Sequence, residues 1–284
     1  VYFISSSMTW WQSLILGIIE GITEYLPVSS TGHLIVAQRL MGIGVEGAEA
    51  KEAADAYAIA IQAGAILAVL GIYFPRVVQM FKGLLGKDEE GKKLIIAMIV
   101  AFLPAAVAGL TLNDWIKSYL FGIWPVVMAW IIGGVGILLI SKWQREHKGG
   151  VDLSEITWKM ALIIGLLQCV AMCPGTSRSL MTIVGGLAVG LSLSAAVEFS
   201  FLLGVLTLGA ATAKDTLDSG ELMLELFGWQ NLLIGGLAAL VSAVIAVRWL
   251  VDFLKSNGLQ IFGYYRITLG VIVGGLILAQ VVAF

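Results

Sequence analysis

Five ionisable residues stand in stretches otherwise apolar enough for a lipid interior: Glu20, Glu24, His33, Arg178 and Glu198. An ionised group at the centre of a membrane helix costs on the order of 3 kcal/mol even on lenient insertion scales. Four of the five fall in or beside two short hydroxyl-rich segments, a concentration that helix pairing does not require and that marks a site. Glu20 and Glu24 are four apart, so a helix carries both carboxylates on one face. Two buried carboxylates this close repel unless something positive lies between them or they share a proton. A hard divalent cation, Mg²⁺ or Ca²⁺, held by Glu20, Glu24 and the phosphate oxygens of a substrate meets that need. The alternative is one protonated carboxyl hydrogen-bonded to its partner.

The first hydroxyl-rich segment is Pro27-Val28-Ser29-Ser30-Thr31-Gly32-His33 and the second Pro174-Gly175-Thr176-Ser177-Arg178-Ser179. Each predicts a helix restart, with Ser29 or Ser30 and then Thr176 or Ser177 as N-cap. Helix N-termini inside the membrane offer unpaired N–H groups and a positive dipole end, which suits a buried anion. Arg178 adds a planar fork for phosphate oxygens, and its competing role is a salt bridge to Glu198. Ser29, Thr31, Gly32, Thr176, Ser177, Arg178 and Ser179 form the expected phosphate cradle. His33 follows three residues after Ser30, so both project from one helix face. Either can attack phosphorus. Imidazole needs no separate base, which favours His33, whereas Ser30 needs its proton removed, with His33 the candidate base.

The elements that position these residues follow from hydropathy. Charged residues are 13% of the 284, about half the usual share of soluble domains, and mean hydropathy is +0.94. Lipid must therefore be the solvent for much of the surface. The net charge of −2 argues against a nucleic-acid partner. Six stretches are long enough to span, near 55–74, 93–112, 122–142, 194–213, 230–250 and 264–284. Two more, near 10–43 and 158–190, break in the middle into halves too short to cross, and read as re-entrant hairpins.

The fold class expected is an all-α polytopic membrane domain over 1–284, in two copies at about 10–142 and 158–284. Gly17-Ile18-Ile19-Glu20 pairs with Gly165-Leu166-Leu167-Gln168, and Pro27-Val28-Ser29-Ser30 with Pro174-Gly175-Thr176-Ser177. One hairpin plus three spans makes an odd number of crossings, so the second copy is inverted and the hairpins enter from opposite faces. One face collects Arg76, Lys82, Lys87, Lys92, Lys93, Lys142, Arg145, Lys148, Lys159, Arg248, Lys255 and Arg266. The other holds Arg39, Lys51, Lys117 and Lys214, beside an acidic loop with Asp215, Asp218, Glu221 and Glu225. Twelve against four puts the basic face in the cytoplasm and the first hairpin's mouth outside.

Three features carry no chemistry. Cys169 and Cys173 read as small packing residues rather than a disulfide or metal pair. His147 falls in a charged loop, as a solvated side chain. Residues 1–7 lack the basic start of a signal peptide.

EGITEYLPVSSTGH at 20–33 resembles the first signature of the undecaprenyl-diphosphate phosphatase family, the bacitracin-resistance type, and PGTSRS at 174–179 resembles its second. The likeness extends through QAGAILAV at 62–69 and EFSFLL at 198–203. The resemblance implies hydrolysis of undecaprenyl diphosphate to the monophosphate at the outer face of the bacterial plasma membrane. That recycles the peptidoglycan lipid carrier and protects against bacitracin. It also implies dependence on a divalent cation, with catalytic or phosphate-binding roles for Glu20, Glu24, Ser30, His33 and Arg178. Partners are then undecaprenyl diphosphate and the bilayer, with a homodimer left open. One departure is Leu180, where the family continues SRS with Gly, which raises the question of the backbone beside Arg178. The competing function is a transporter or flippase of a phosphorylated lipid on the same frame; the paired acids beside a histidine favour bond cleavage. The other large class of membrane lipid phosphatases needs a second histidine, and none follows Arg178.

Overall fold

The computed structural model describes residues 8–120, 122–146 and 149–280, so the readings of residues 1–7 and His147 lie outside the described residues. The chain is helical, as expected, and among the described residues the only β pairing is an isolated bridge between Val151 and Leu191. In order the helices are α1 Trp10–Thr23, α2 Ser30–Leu40, α3 Ala48–Ile72, α4 Phe74–Leu84, α5 Glu89–Leu120, α6 Ile123–Glu146, α7 Trp158–Val170, α8 Arg178–Ala188, α9 Leu193–Asn257 and α10 Gln260–Leu278. Among the described residues five helices are long and apolar enough to cross a membrane. α9 has two limbs, because Gly228 leaves the helical region at φ 77°, ψ 153°. The limbs, 193–227 and 229–257, account for the fourth and fifth expected spans. Apolar side chains cover the outside: Leu110, Leu139, Ile245 and Val271 are all largely exposed. That pattern fits hydrocarbon as the solvent.

The two breaks fall between α1 and α2 and between α7 and α8, flanked by helices of 11 to 14 residues. Each second half starts at a serine: the hydroxyl of Ser29 accepts the Gly32 N–H and that of Ser177 accepts the Leu180 N–H. Both caps sit at positive φ, 72° and 79°, which costs a non-glycine residue of order 1–3 kcal/mol and persists only where the surroundings impose it. These matching caps shift the internal correspondence. Ser29 pairs with Ser177, 148 positions on, the offset that also pairs Glu20 with Gln168. Aligning the prolines instead, as the sequence invites, is off by one, because Pro27 and Pro174 stand at different distances from their caps.

Several expectations change. The acidic segment around Asp215–Glu225 is not a loop but the helical end of the first limb of α9, with Lys214 paired to Asp218 at 2.5 Å. α4 is additional: an amphipathic helix with Phe74, Phe81 and Leu84 exposed, the type that lies in a membrane interface. Glu198 pairs with Arg76 at 2.6 Å rather than with Arg178, because Arg76 follows the end of α3 and reaches the first turns of α9. Arg266, counted above among loop charges, is fully buried on α10. Removing it leaves eleven basic residues against four, a bias of unchanged sign. Leu180 takes an ordinary helical conformation in α8 and packs into the core, so its side chain needs no special backbone.

Glycines let the first hairpin approach the second limb of α9. A Cβ at Gly21 would lie 2.1 Å from Ser242 Oγ and 2.3 Å from the Ala239 carbonyl. Gly21→Ala must therefore push α1 outward, taking Glu20 and Glu24 with it. Overpacking of this kind costs roughly 1–3 kcal/mol, and a shift of about 1.4 kcal/mol in the barrier is tenfold in rate. We expect Gly21→Ala to unfold at lower temperature in detergent and to turn over at least about tenfold more slowly. Gly71→Ala, with open space around it, should match the native protein in both measurements.

Candidate active site

The breaks meet across a cleft of about 170 Å³ whose wall includes Glu24, Ser29, Ser30, Thr31, Gln62, Cys173, Gly175, Ser177 and Arg178. Glu24, one turn past Glu20, is buried. One of its oxygens accepts the Ser30 hydroxyl. The other receives Arg178 Nη2 at 3.3 Å. Arg178 also donates from Nη1 to the Ser200 carbonyl at 2.9 Å and lies 5.6 Å over the Tyr25 ring, while its Nε has no hydrogen-bond partner. The first helical N–H groups of each half-helix, those of Ser30 and Thr31 and of Arg178 and Ser179, have no acceptor within their helices. Hydroxyl, carboxylate and guanidinium thus converge at the starts of the two second half-helices.

Other expected residues take different places. Glu20 is fully buried beside Glu24, outside the cleft wall, with Glu24 as its polar neighbour. Ser179 is buried and donates to the Leu26 carbonyl at 2.9 Å, clasping the second break to the first. Gly32 is covered by Trp130: a Cβ there would meet the indole at 2.6 Å. Thr176 contributes its carbonyl to Arg266. His33 turns away from Ser30. Its Nδ1 lies 2.7 Å from the Ser29 carbonyl and its Nε2 2.8 Å from the Tyr265 hydroxyl, and its ring stacks on Tyr265 at 5.8 Å. A carbonyl only accepts, so these partners assign the proton to Nδ1 and leave Nε2 accepting from the tyrosine. Ser30 and His33 diverge because one bonds to Glu24 on α1's side and the other to α10.

A buried carboxylate beside a second one either shares a proton with it or joins it in holding a hard cation that keeps waters and takes phosphate oxygens as its remaining ligands. Glu20 and Glu24 fit such an ion; among the described residues no cluster of three or more His, Cys, Asp or Glu offers a fuller cage. Sequence reasoning missed Gln62, whose amide in the middle of a span was the available signal. It also missed Tyr25, Tyr265 and Arg266. Arg266 donates to five carbonyls, those of Pro27, Ala129, Trp130, Gly175 and Thr176, at 2.8–3.4 Å.

Cys169 and Cys173 are both free. Cys169 bonds the Gly165 carbonyl, whereas Cys173 lines the cleft. A thiol-directed methanethiosulfonate reagent should therefore block turnover. A substrate analogue should slow the block, and Cys173→Ala should abolish it. Equal inhibition of the Ala variant would place the sensitive group elsewhere.

Two hairpins that bring paired acids, a serine and an arginine together inside a lipid-facing helical bundle define a multi-pass membrane protein with a polar centre among its helices. Residues 13–272 match the family described as bacitracin resistance protein BacA, and the chain belongs to that family. It is 42% identical over 270 residues, 94% of this chain and 86% of the relative, to an undecaprenyl-diphosphatase of Sorangium cellulosum. It is 41% identical over 262 residues to an undecaprenyl-diphosphatase of Acinetobacter baumannii, covering 92% of this chain and 93% of that one. Undecaprenyl-diphosphatase 1 of Chromobacterium violaceum is 43% identical over 271 residues, 93% and 95% of the two chains.

Proposed function

We infer that this protein hydrolyses undecaprenyl diphosphate to undecaprenyl phosphate and inorganic phosphate, recycling the lipid carrier of peptidoglycan and conferring bacitracin resistance. The observation that carries the chemistry is the Ser30 hydroxyl bonded to Glu24, whose second oxygen meets Arg178. In this reading Ser30 Oγ attacks the terminal phosphorus while Glu24 takes its proton. The bond from phosphorus to the bridging oxygen breaks, and the prenyl monophosphate leaves with the proton that Glu24 took. Water then attacks the phosphoserine and gives its proton to Glu24, the bond from phosphorus to Ser30 Oγ breaks, and Glu24 returns the proton to Oγ as phosphate departs. Arg178 and the half-helix N–H groups neutralise charge on the transferring phosphoryl group, the largest requirement of such a reaction. A divalent cation held by Glu20 and Glu24 would supply further neutralisation of phosphate charge. The prenyl tail stays in lipid and only the headgroup enters. His33 fixes the Ser29 carbonyl, at the strained cap that precedes Ser30.

The hairpins enter from opposite faces in this proposal, and the cleft opens to the periplasmic or external side of the inner membrane. The test is phosphate release from undecaprenyl diphosphate by purified protein in detergent, with and without chelator. No release with Mg²⁺ or Ca²⁺ present would remove the hydrolase reading, and full activity in excess EDTA would remove the cation. For sidedness, Glu49→Cys and Glu221→Cys should react with impermeant thiol reagents in intact cells of a Cys-free background, whereas Glu89→Cys should not. The opposite pattern inverts the topology.

A further inference from the structure

α10 carries one arginine, and its environment is unlike that of any surface charge. Arg266 is fully buried, and a guanidinium has five N–H donors. It makes five hydrogen bonds, all to backbone carbonyls, with Nε on Trp130, Nη1 on Pro27 and Thr176, and Nη2 on Ala129 and Gly175. Among the described residues no carboxylate forms an ion pair with it. A buried cation lacking a counter-ion is costly, so the carbonyls it holds matter. Two belong to α6. The other three belong to the two breaks, immediately upstream of the caps Ser29 and Ser177.

Those caps hold two of the three positive-φ non-glycine conformations among the described residues, and Ser30 and Arg178 follow them directly. One planar group therefore grips the unwound backbone of both hairpins next to the two residues that must converge on a single phosphoryl group. The neighbourhood is shaped for it. A Cβ at Gly133 would stand 2.4 Å from Nη2 and 2.9 Å from Cζ, so α6 leaves a notch for the guanidinium. The indole N–H of Trp130 donates to the Val28 carbonyl at 3.0 Å, securing the peptide after the one Arg266 holds.

We propose that Arg266 is the positioning residue of the site, a planar staple that locks the two hairpin breaks in one register so that Ser30 and Arg178 face the same diphosphate. This rests on the assignment of Ser30 and Arg178 proposed above. Arg266 touches no reacting atom; its effect runs through the backbone of Pro27, Gly175 and Thr176. Lysine keeps the charge but has three donors on a single nitrogen and cannot span both breaks.

The test uses purified Arg266→Lys, Arg266→Gln, Arg266→Ala and Gly133→Ala in detergent. Measurements are kcat and KM for undecaprenyl diphosphate, the melting temperature, and turnover of the Ala variant with added guanidinium ions. A misplacement of about 1 Å costs on the order of 100-fold in rate. We expect that loss in kcat for Arg266→Lys, a KM close to native, and a folded protein. Gly133→Ala, which presses on the guanidinium from α6, should lose kcat in the same sense, and guanidinium should restore part of the Ala variant's turnover. Near-native kcat in Arg266→Lys with a dead Arg266→Gln would make Arg266 a fixed charge and overturn the staple. Losses that track loss of folded protein in every variant, without rescue, would reduce it to packing and overturn it too. Ser30→Ala measured alongside separates the two readings. If Ser30→Ala stays active, the site assignment fails first. If it is dead while Arg266→Lys is native-like, the staple alone fails.

Discussion

Ser30→Ala is expected to lower turnover by about three orders of magnitude or more, the scale on which loss of a covalent nucleophile is felt. A serine hydroxyl is a poor nucleophile until a base takes its proton, and the base proposed here is within reach: the hydroxyl donates to Glu24. Glu24→Gln keeps the shape of the side chain but cannot accept that proton, so it should approach the Ser30→Ala rate. The double variant should be little worse than either single one, because the pair acts as a unit. Quenching a single turnover of substrate labelled in its terminal phosphate should trap an acid-stable phosphoserine. His33→Ala should retain turnover within about tenfold of native, the cost of a loosened hydrogen bond rather than a lost nucleophile. A dead His33→Ala with an acid-labile adduct and an active Ser30→Ala would return the nucleophile to His33. No adduct, with Ser30→Ala still active, would favour direct attack by water.

The fold and the broken helices could be read from the chain because their causes are local. A hydrophobic run of fixed length, a proline and a serine N-cap announce themselves in a few consecutive residues. The convergence of Glu24, Ser30 and Arg178 was inferable because intramembrane charge is rare enough to notice. What stayed hidden depends on depth and direction. Arg266 lies two residues inside a stretch whose start hydropathy placed at 264, so it read as a loop charge. α10 begins at Gln260, which carries the residue a turn and a half into the bundle. Helical spacing puts Ser30 and His33 on neighbouring faces, but rotamers and partners decide where side chains end: Ser30 bonds across to α1 and His33 to Tyr265 on α10. Glu198 belonged to Arg76, a partner beyond the end of α3 that no local pattern links to it.

Arg178→Lys is expected to lower kcat/KM by about two to three orders of magnitude, the scale of removing one oriented donor from a charge-stabilising site. The residue keeps its charge in that variant, so the loss isolates geometry. The guanidinium now performs several tasks at fixed angles: Nη2 toward Glu24, Nη1 onto the Ser200 carbonyl, and its face over Tyr25. Its Nε, buried and without a partner, is a donor still to be used. An ammonium on a flexible stem can reach one or two of these partners, cannot present a planar fork and stacks less well on the ring. Glu24 would then be drawn to the ammonium or left unpaired, and its hold on the Ser30 proton would change with it. The loss should therefore appear in kcat as well as in KM. Gly204→Ala gives an independent measurement, since a Cβ there would lie 2.6–2.7 Å from the guanidinium and must displace it without altering its charge. If Arg178→Lys turns over at a near-native rate and Gly204→Ala is silent, Arg178 acts as a point charge only. The phosphoryl group would then be oriented by the half-helix N–H groups and the Ser30–Glu24 pair alone.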